Sequence, residues 1–454
     1  MLDVAATGAG VVALRVDDFA LVGGPDPLLG AWDEVDLGLR LAARTGGRVV
    51  VDTRSEVETD DGAGTGAGAG ADEDRTAAGR ALVRRWPDPP GPRLEEVVAR
   101  AGFGVAGYRA DESPGAHADL RPAEPVLVRA KGMHTLPRRR WSVKIAAPAG
   151  PEALRWGDLH FARALAAALE RCGQEVVVDH GPAVGRRTAY LDDVSLVLRG
   201  RDRVAHQPGA VNILWVISHP ELVDSDELAA ADAVFAASLR WSEQAAQESG
   251  RDVVPLLQAT DVAQFNPRVA ASTRAEDVLF VGNSRGLYRP VVRHLVEAGV
   301  DVAVYGGRWE AFLPAGTVRA EQLPNVELPS MYAAAGVVLN DHWEPMRRGG
   351  FMSNRLFDAA AVGARVITDA VDGVEDVLGD LVRTYRTPDE LVGLVRGRRD
   401  AFPSDDERRG LAEGVVAAHS FDARARVLVE AADALWERRE PSRRDHVESR
   451  AEEE

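Results

Sequence analysis

Arg355 and Asp358 lie three residues apart in the stretch Gly349 to Asp369, GGFMSNRLFDAAAVGARVITD. The stretch reads as a loop, a short helix, a glycine stop at Gly363 and a returning strand, Arg365-Val-Ile-Thr-Asp369. On a helix, Phe351, Arg355 and Asp358 fall at i, i+4 and i+7 and share one face. A loop and helix start aimed at a sheet's carboxyl edge is where α/β proteins hold phosphorylated ligands. One acid and one guanidinium there suit a ribose and a diphosphate. The bland alternative is an Arg355–Asp358 salt bridge on a solvated face. A second candidate is Gly282-Asn283-Ser284-Arg285, which follows the apolar run Val278–Val281. Its glycine permits close approach and its next three side chains offer donors toward a diphosphate, although Gly-Asn is also a common turn pair. Asn340-Asp341-His342-Trp343 ends another apolar run. His342 could neutralise a diphosphate or donate a proton, and Asp341 is equally a helix cap. In the preceding half, Asp158 opens a helix at Trp156-Gly-Asp-Leu-His160, and His219 stands before Pro220 at a strand end. These two are the candidate catalytic side chains. Asp158 is as well explained by the helix dipole, and the residue before a proline is simply kept out of helical geometry.

Taken in order, Asn212-Ile-Leu-Trp-Val-Ile-Ser-His-Pro220, Asp277-Val-Leu-Phe-Val-Gly-Asn-Ser-Arg285, Val300-Asp-Val-Ala-Val-Tyr-Gly-Gly307, Ala335-Gly-Val-Val-Leu-Asn-Asp-His-Trp343 and the 349–369 stretch resemble the CgeB-like glycosyltransferases. These are relatives of the group 1 enzymes that share the GT-B fold. The resemblance covers roughly residues 139–438. It implies a nucleotide-sugar donor held by the second of two Rossmann-like domains, with Asn340-Asp341-His342-Trp343 bordering the nucleotide; the donor-binding residues expected are Gly282, Asn283, Ser284, Arg285, Asp341, His342, Asn354, Arg355 and Asp358. Retaining group 1 enzymes carry two glutamates eight positions apart, the later one on the ribose. Here those positions hold Gly350 and Asp358, so the first acid is absent and the second is shortened, with Asn354 near the gap.

The elements that must position these residues follow from the apolar pattern. Short apolar runs without alternation, as in a parallel sheet covered on both faces, predict strands at Ser142–Ala147, Glu175–Asp179, Ser195–Arg199, Val211–Ser218, Ala233–Ala237 and Val253–Leu257. A second series is expected at Val278–Val281, Asp301–Tyr305, Gly336–Asn340, Arg365–Thr368 and Leu381–Tyr385. A helix is expected at Gly157–Arg171, and another from Phe421 to Arg438 that crosses back to the first domain. The fold class is therefore α/β, of GT-B type. It consists of an accessory domain over 1–138, Rossmann-like domains over 139–265 (acceptor side) and 266–438 (donor side), and a disordered tail over 439–454. Residues 258–267 read as the hinge. In the accessory domain, strands are expected at Val11–Val16, Arg48–Asp52 and Pro125–Ala130, and a helix at Leu94–Ala101. The acidic, glycine-rich run Thr59 to Asp74 reads as a flexible linker. Ala101-Gly-Phe-Gly followed by Val126–Lys131 weakly resembles the closing strands of a class I methyltransferase.

Composition narrows the function. At 454 residues the chain needs more than one core. Its formal charge of −17 argues against general binding to nucleic acid or anionic membranes. No apolar run approaches the ~20 residues that span a bilayer, and no basic-then-apolar start marks a secretory signal. Cys172 is the single cysteine, read as a packed small residue, so a cytoplasmic protein without disulfides is expected. The P-loop and HExxH patterns are missing. Asp72-Glu-Asp74 lies in the linker and Asp224-Ser-Asp226 reads as a helix cap, so neither supports a metal-dependent transferase. The expectation is a glycosyltransferase that uses neither cofactor nor metal, acting on a nucleotide sugar and an unspecified acceptor. A non-catalytic nucleotide- or sugar-binding protein and a nucleotide-sugar epimerase are the alternatives on the same scaffold.

Overall fold

The computed structural model describes residues 139–186 and 188–451, and in the first part of the chain residues 2–4, 33–45, 49–51, 81–82, 84–86, 94–100, 102–109 and 124–129. Two compact units, Met1–Leu136 and Pro137–Glu454, divide it. In the first unit, β1 (Leu2–Val4) pairs antiparallel with β2 (Val49–Val51), and β3 (Phe103–Arg109) with β4 (Glu124–Arg129). Helices run Asp33–Thr45 and Leu94–Arg100. Asp36 is buried under Trp86, which donates to it at 2.9 Å, and Arg40, at 2.7 Å. The expected strand at Val11–Val16 and the linker 59–74 fall outside the described residues.

The second unit holds two six-stranded sheets, both wholly parallel. The first comprises β5 (Arg140–Lys144), β6 (Glu175–Asp179), β7 (Val194–Arg199), β8 (Val211–Val216), β9 (Ala233–Ala236) and β10 (Val253–Pro255), in the order β10-β9-β8-β7-β5-β6. The second comprises β11 (Val278–Val281), β12 (Ala303–Tyr305), β13 (Val318–Ala320), β14 (Val337–Asn340), β15 (Val366–Asp369) and β16 (Val382–Tyr385), in the order β13-β12-β11-β14-β15-β16. That is the Rossmann order 3-2-1-4-5-6, which reverses between β11 and β14 and opens a crevice beyond their carboxyl ends. The two Rossmann-like domains expected for a GT-B protein are thus present. Strand β13 was missed, because Val-Arg-Ala is three residues long and gives no apolar run. Cys172 is half-buried beside the first core rather than inside it. None of the described helices is long and apolar enough to cross a membrane.

Two chain crossings join the sheets. Leu257 to Thr260 leaves the first domain, and the final helix, Phe421–Ala451, returns to it. They run side by side, Thr260 bridging Ser420, with Arg424 donating to the Leu257 carbonyl at 2.7 Å. Phe421, Ala425, Leu428 and Ala432 complete the first domain's core. The helix passes the Arg438 end expected from sequence and reaches Ala451. Little there is apolar, which argued for disorder, but arginine and glutamate are strong helix formers and extend it locally.

Candidate functional site

The donor-side wall begins where β11 ends. Gly282 donates to the Tyr305 carbonyl at 2.7 Å, and Gly306 packs so close that any side chain on it would overlap the Gly282 carbonyl. Asn283 and Ser284 complete this junction. The Asn283 Oδ1 accepts from the Gly307 amide at 2.8 Å, and the Ser284 hydroxyl donates to the Arg308 carbonyl. Both were expected to face a diphosphate, and both instead hold the loop to its neighbour. At Gly282, a Cβ would sit 3.2 Å from Arg289 Nη1 and 3.4 Å from Arg355 Nη2. Arg285 takes a left-handed backbone, φ 61°, and lays its guanidinium 4.9 Å over the Trp343 ring. Crowding by the surrounding walls, and then by Arg289 and Arg355, pushes its pKa down to about 10, so it stays charged at neutral pH.

Asp341 is neither a cap nor free for ligand. It pairs with Arg289, whose Nε approaches its Oδ2 at 3.1 Å. Arg289 was overlooked in the sequence, although it sits before Pro290 on the very loop that was singled out. His342 is also corrected. Its side chain is fully buried, with Nδ1 2.7 Å from Asp369 Oδ1 and Nε2 accepting from the Ser353 amide at 3.0 Å. Because Nε2 must accept, the proton is assigned to Nδ1. A ring engaged on both sides has nothing left for a phosphate. It pins the start of the next helix to the sheet.

That helix spans Asn354–Ala361. Phe351 lies ahead of it, so the shared face is carried by Arg355 and Asp358 alone. The salt-bridge alternative is not observed, since among the described residues Arg355 forms no ion pair. Its Nη1 donates to Asn340 Oδ1 at 3.2 Å, and it lies over Phe280. Asp358 accepts from Thr260 Oγ1 and from Asn354 Nδ2, each at 2.8 Å. Burial outweighs these bonds and pushes its pKa up to about 7. Asn354 Oδ1 is buried without a partner among the described residues. Asn354 is committed to Asp358 and does not fill the gap left at Gly350. Gly350 has φ 72°, and a side chain there would meet Ser238 Oγ at 3.1 Å. The loop is clamped on the first domain. The Ser238 hydroxyl donates to the Gly349 carbonyl at 2.6 Å, and the fully buried Phe351 enters the cluster of Val197, Leu214, Val216 and Leu228, its ring 5.8 Å from Trp241.

The facing wall is built where the first sheet's order reverses, between β5 and β7. Asp158, in the first turn of helix Gly157–Arg171, is aimed at Gly200, where a Cβ would be 3.2 Å from its Oδ2. Burial raises its pKa, opposed by the charge of His219. His219 is left-handed, φ 52°, with Nδ1 3.0 Å from Glu221. A cavity of about 560 Å³ is lined from one side by Asp158 and His219, and from the other by Arg285, Asn354, Arg355 and Asp358. Asn283 and Ser284 do not line it. Such a cavity can hold an anionic ligand on guanidiniums while presenting a carboxylate to whatever lies opposite. No group of three or more metal-ligating side chains occurs among the described residues.

Residues 285–430, which contain most of this donor wall, match the family described as glycosyl transferase-like. The second domain is glycosyl transferase-like. The glycosyltransferase class expected from sequence is borne out at that level. No curated protein matches the chain. In structure the chain is similar to AviGT4, a glycosyltransferase involved in avilamycin A biosynthesis, at 16% identity and TM-score 0.45, covering 65% of this chain and 98% of that one. It is also similar to the sucrose-phosphate synthase of Thermosynechococcus elongatus, at 15% identity and TM-score 0.46 over 66% and 99%. A third likeness is to Anabaena Alr3699/HepE, solved with UDP-glucose, at 12% identity and TM-score 0.45 over 67% and 100%.

Proposed function

We propose that the protein is a CgeB-like glycosyltransferase that moves a sugar from a nucleoside diphosphate to an acceptor hydroxyl in the cleft between its two sheets. One observation carries this reading: Arg285 and Arg355, both without ion-pair partners among the described residues, converge on a cavity whose other wall presents Asp158. The acceptor oxygen attacks the anomeric carbon, the bond from that carbon to the phosphate oxygen breaks, and the nucleoside diphosphate leaves with the electron pair. Asp158 is the candidate base for the acceptor's proton, held near His219. Arg285 and Arg355 meet the charge that develops on the leaving diphosphate, which needs no metal in this reading. Asp358 is the candidate for the ribose hydroxyls, through the lone pairs that Thr260 and Asn354 leave free. The compartment is the cytoplasm and nucleic acid is not the partner, in keeping with one cysteine and a charge of −17.

The test is turnover of UDP-, ADP- and GDP-sugars against a panel of glycans, peptides and small alcohols, with and without EDTA. Release of nucleoside diphosphate that depends on an acceptor and survives chelation supports the reading. Interconversion of the sugar without release would make the protein an epimerase, and binding without either would make it a binding protein.

A further inference from the structure

A second cavity of the second unit, about 860 Å³, lies beside the cleft rather than in it. It is enclosed by the loops that follow β11, β14, β15 and β16, and it meets the cleft only at a shared wall that includes Arg285, Asp341 and Trp343. Its size suits a small organic molecule. Its charges are sorted in one direction. Asp341 is paired with Arg289, Glu344 with Arg347 and Asp372 with Arg240, while Asp369 accepts from the Nδ1–H of His342. Each acid on the wall is therefore already engaged. Two guanidiniums remain, Arg285 and Arg386, and neither forms an ion pair among the described residues. The helix Pro290–Glu297 also starts at this cavity without a side-chain cap, which adds the partial positive charge of a helix N-terminus.

An independent observation sits at the floor. Tyr385, the last residue of β16, is only 7% exposed and lines the cavity, yet its hydroxyl has no hydrogen-bond partner among the described residues. The hydroxyl opens onto the cavity, where it is free to donate to a ligand or to water. Burial, with Asp369 and Asp341 nearby, pushes its pKa upward, so it remains a neutral donor. Trp343, Leu287 and Pro388 add apolar surface to the same walls.

We propose that this cavity is a second anion site, which takes a phosphate- or carboxylate-bearing small molecule with a ring or apolar part while the cleft holds the nucleotide. Arg386 and Tyr385 grip the anion, Trp343 packs against the ring, and Arg285 faces both compartments. The proposal rests on the donor reading only in placing the nucleotide in the other compartment.

The test uses inorganic pyrophosphate as the ligand, titrated calorimetrically at low ionic strength into protein already saturated with whichever nucleoside diphosphate binds. Saturated wild type should still take up one equivalent. Arg386→Ala should weaken that uptake at least tenfold and Tyr385→Phe severalfold, with nucleoside diphosphate affinity and melting temperature unchanged. Tyr385→Phe removes one oxygen and keeps the buried ring, so a folding defect in one variant leaves the other informative. No uptake by the saturated protein, or uptake indifferent to both substitutions, overturns the second site and leaves the donor reading intact. If Arg386→Ala and Tyr385→Phe weaken the nucleoside diphosphate itself while Arg355→Ala does not, the nucleotide occupies this cavity, and both readings fall together.

Discussion

At the scale of single residues, the two carboxylates of the cleft call for different tests. Asp358 was read as a free ribose ligand, but Thr260 and Asn354 already donate to it. Its pKa rises from the ordinary 3.8 to about 7, so the folded protein binds this proton more tightly than the unfolded chain. Stability should therefore fall as pH rises from about 4 to about 7, and level off above that. Asp358→Asn should remove this slope while keeping the fold, because the Asn354 amide can turn its unpartnered Oδ1 toward the new NH₂ group. Thermal unfolding of both proteins from pH 4 to 8.5 reads it, and a variant with the wild-type slope would refute the assignment. Asp158 needs the opposite kind of test. If it takes the acceptor's proton, Asp158→Ala should lower turnover by roughly 10²–10⁴, with nucleoside diphosphate affinity unchanged. An equal loss in affinity would make it part of the donor wall instead. Arg285 was legible as a charge in the loop after a strand, and Arg355 and Asp158 as charges in the first turn of a helix. The burial of His342 was not, because its partners Ser353 and Asp369 lie 11 and 27 residues away in the chain.

At the scale of elements, eleven of the twelve strands in the second unit were legible as short apolar runs, and only β13 lacked one. Phe351 shows what such patterns miss. Helical spacing put it on the ligand face, whereas it is the plug that seats the donor loop in the first domain's core. Periodicity along one chain segment carries no record of which other segment will cover it. Phe351→Ala should cost about 3–5 kcal/mol as a large-to-small change at a fully buried site, read by denaturant unfolding. A loss under about 1 kcal/mol would mean the socket is not packed in solution. The same clamp decides the missing acid. Gly350→Glu, which restores the group 1 pattern, should destabilise the protein and leave turnover no higher, because the left-handed backbone and Ser238 leave no room. A gain in turnover would show that the loop adopts another conformation when it works.

At the scale of the whole second unit, the two Rossmann-like sheets are tied together in two places. One is the pair of crossings at Thr260 and Ser420, and the other is the Phe351 socket. The hinge read at 258–267 is thus only one of the fixed points, and the Thr260 hydroxyl links it to Asp358 on the donor helix. The cleft between these ties brings together residues far apart in the sequence, such as Asp158 and Asp358. The central claim is that this cleft holds a nucleoside diphosphate on Arg355. Titration calorimetry of UDP, ADP and GDP against wild type and Arg355→Ala tests it most directly. At least one nucleotide should bind wild type at one equivalent, and Arg355→Ala should weaken it about ten- to a hundredfold, as loss of a charge-assisted contact of roughly 1.5–3 kcal/mol requires, with little change in melting temperature. Failure of all three nucleotides to bind, or equal binding by the variant, would contradict it.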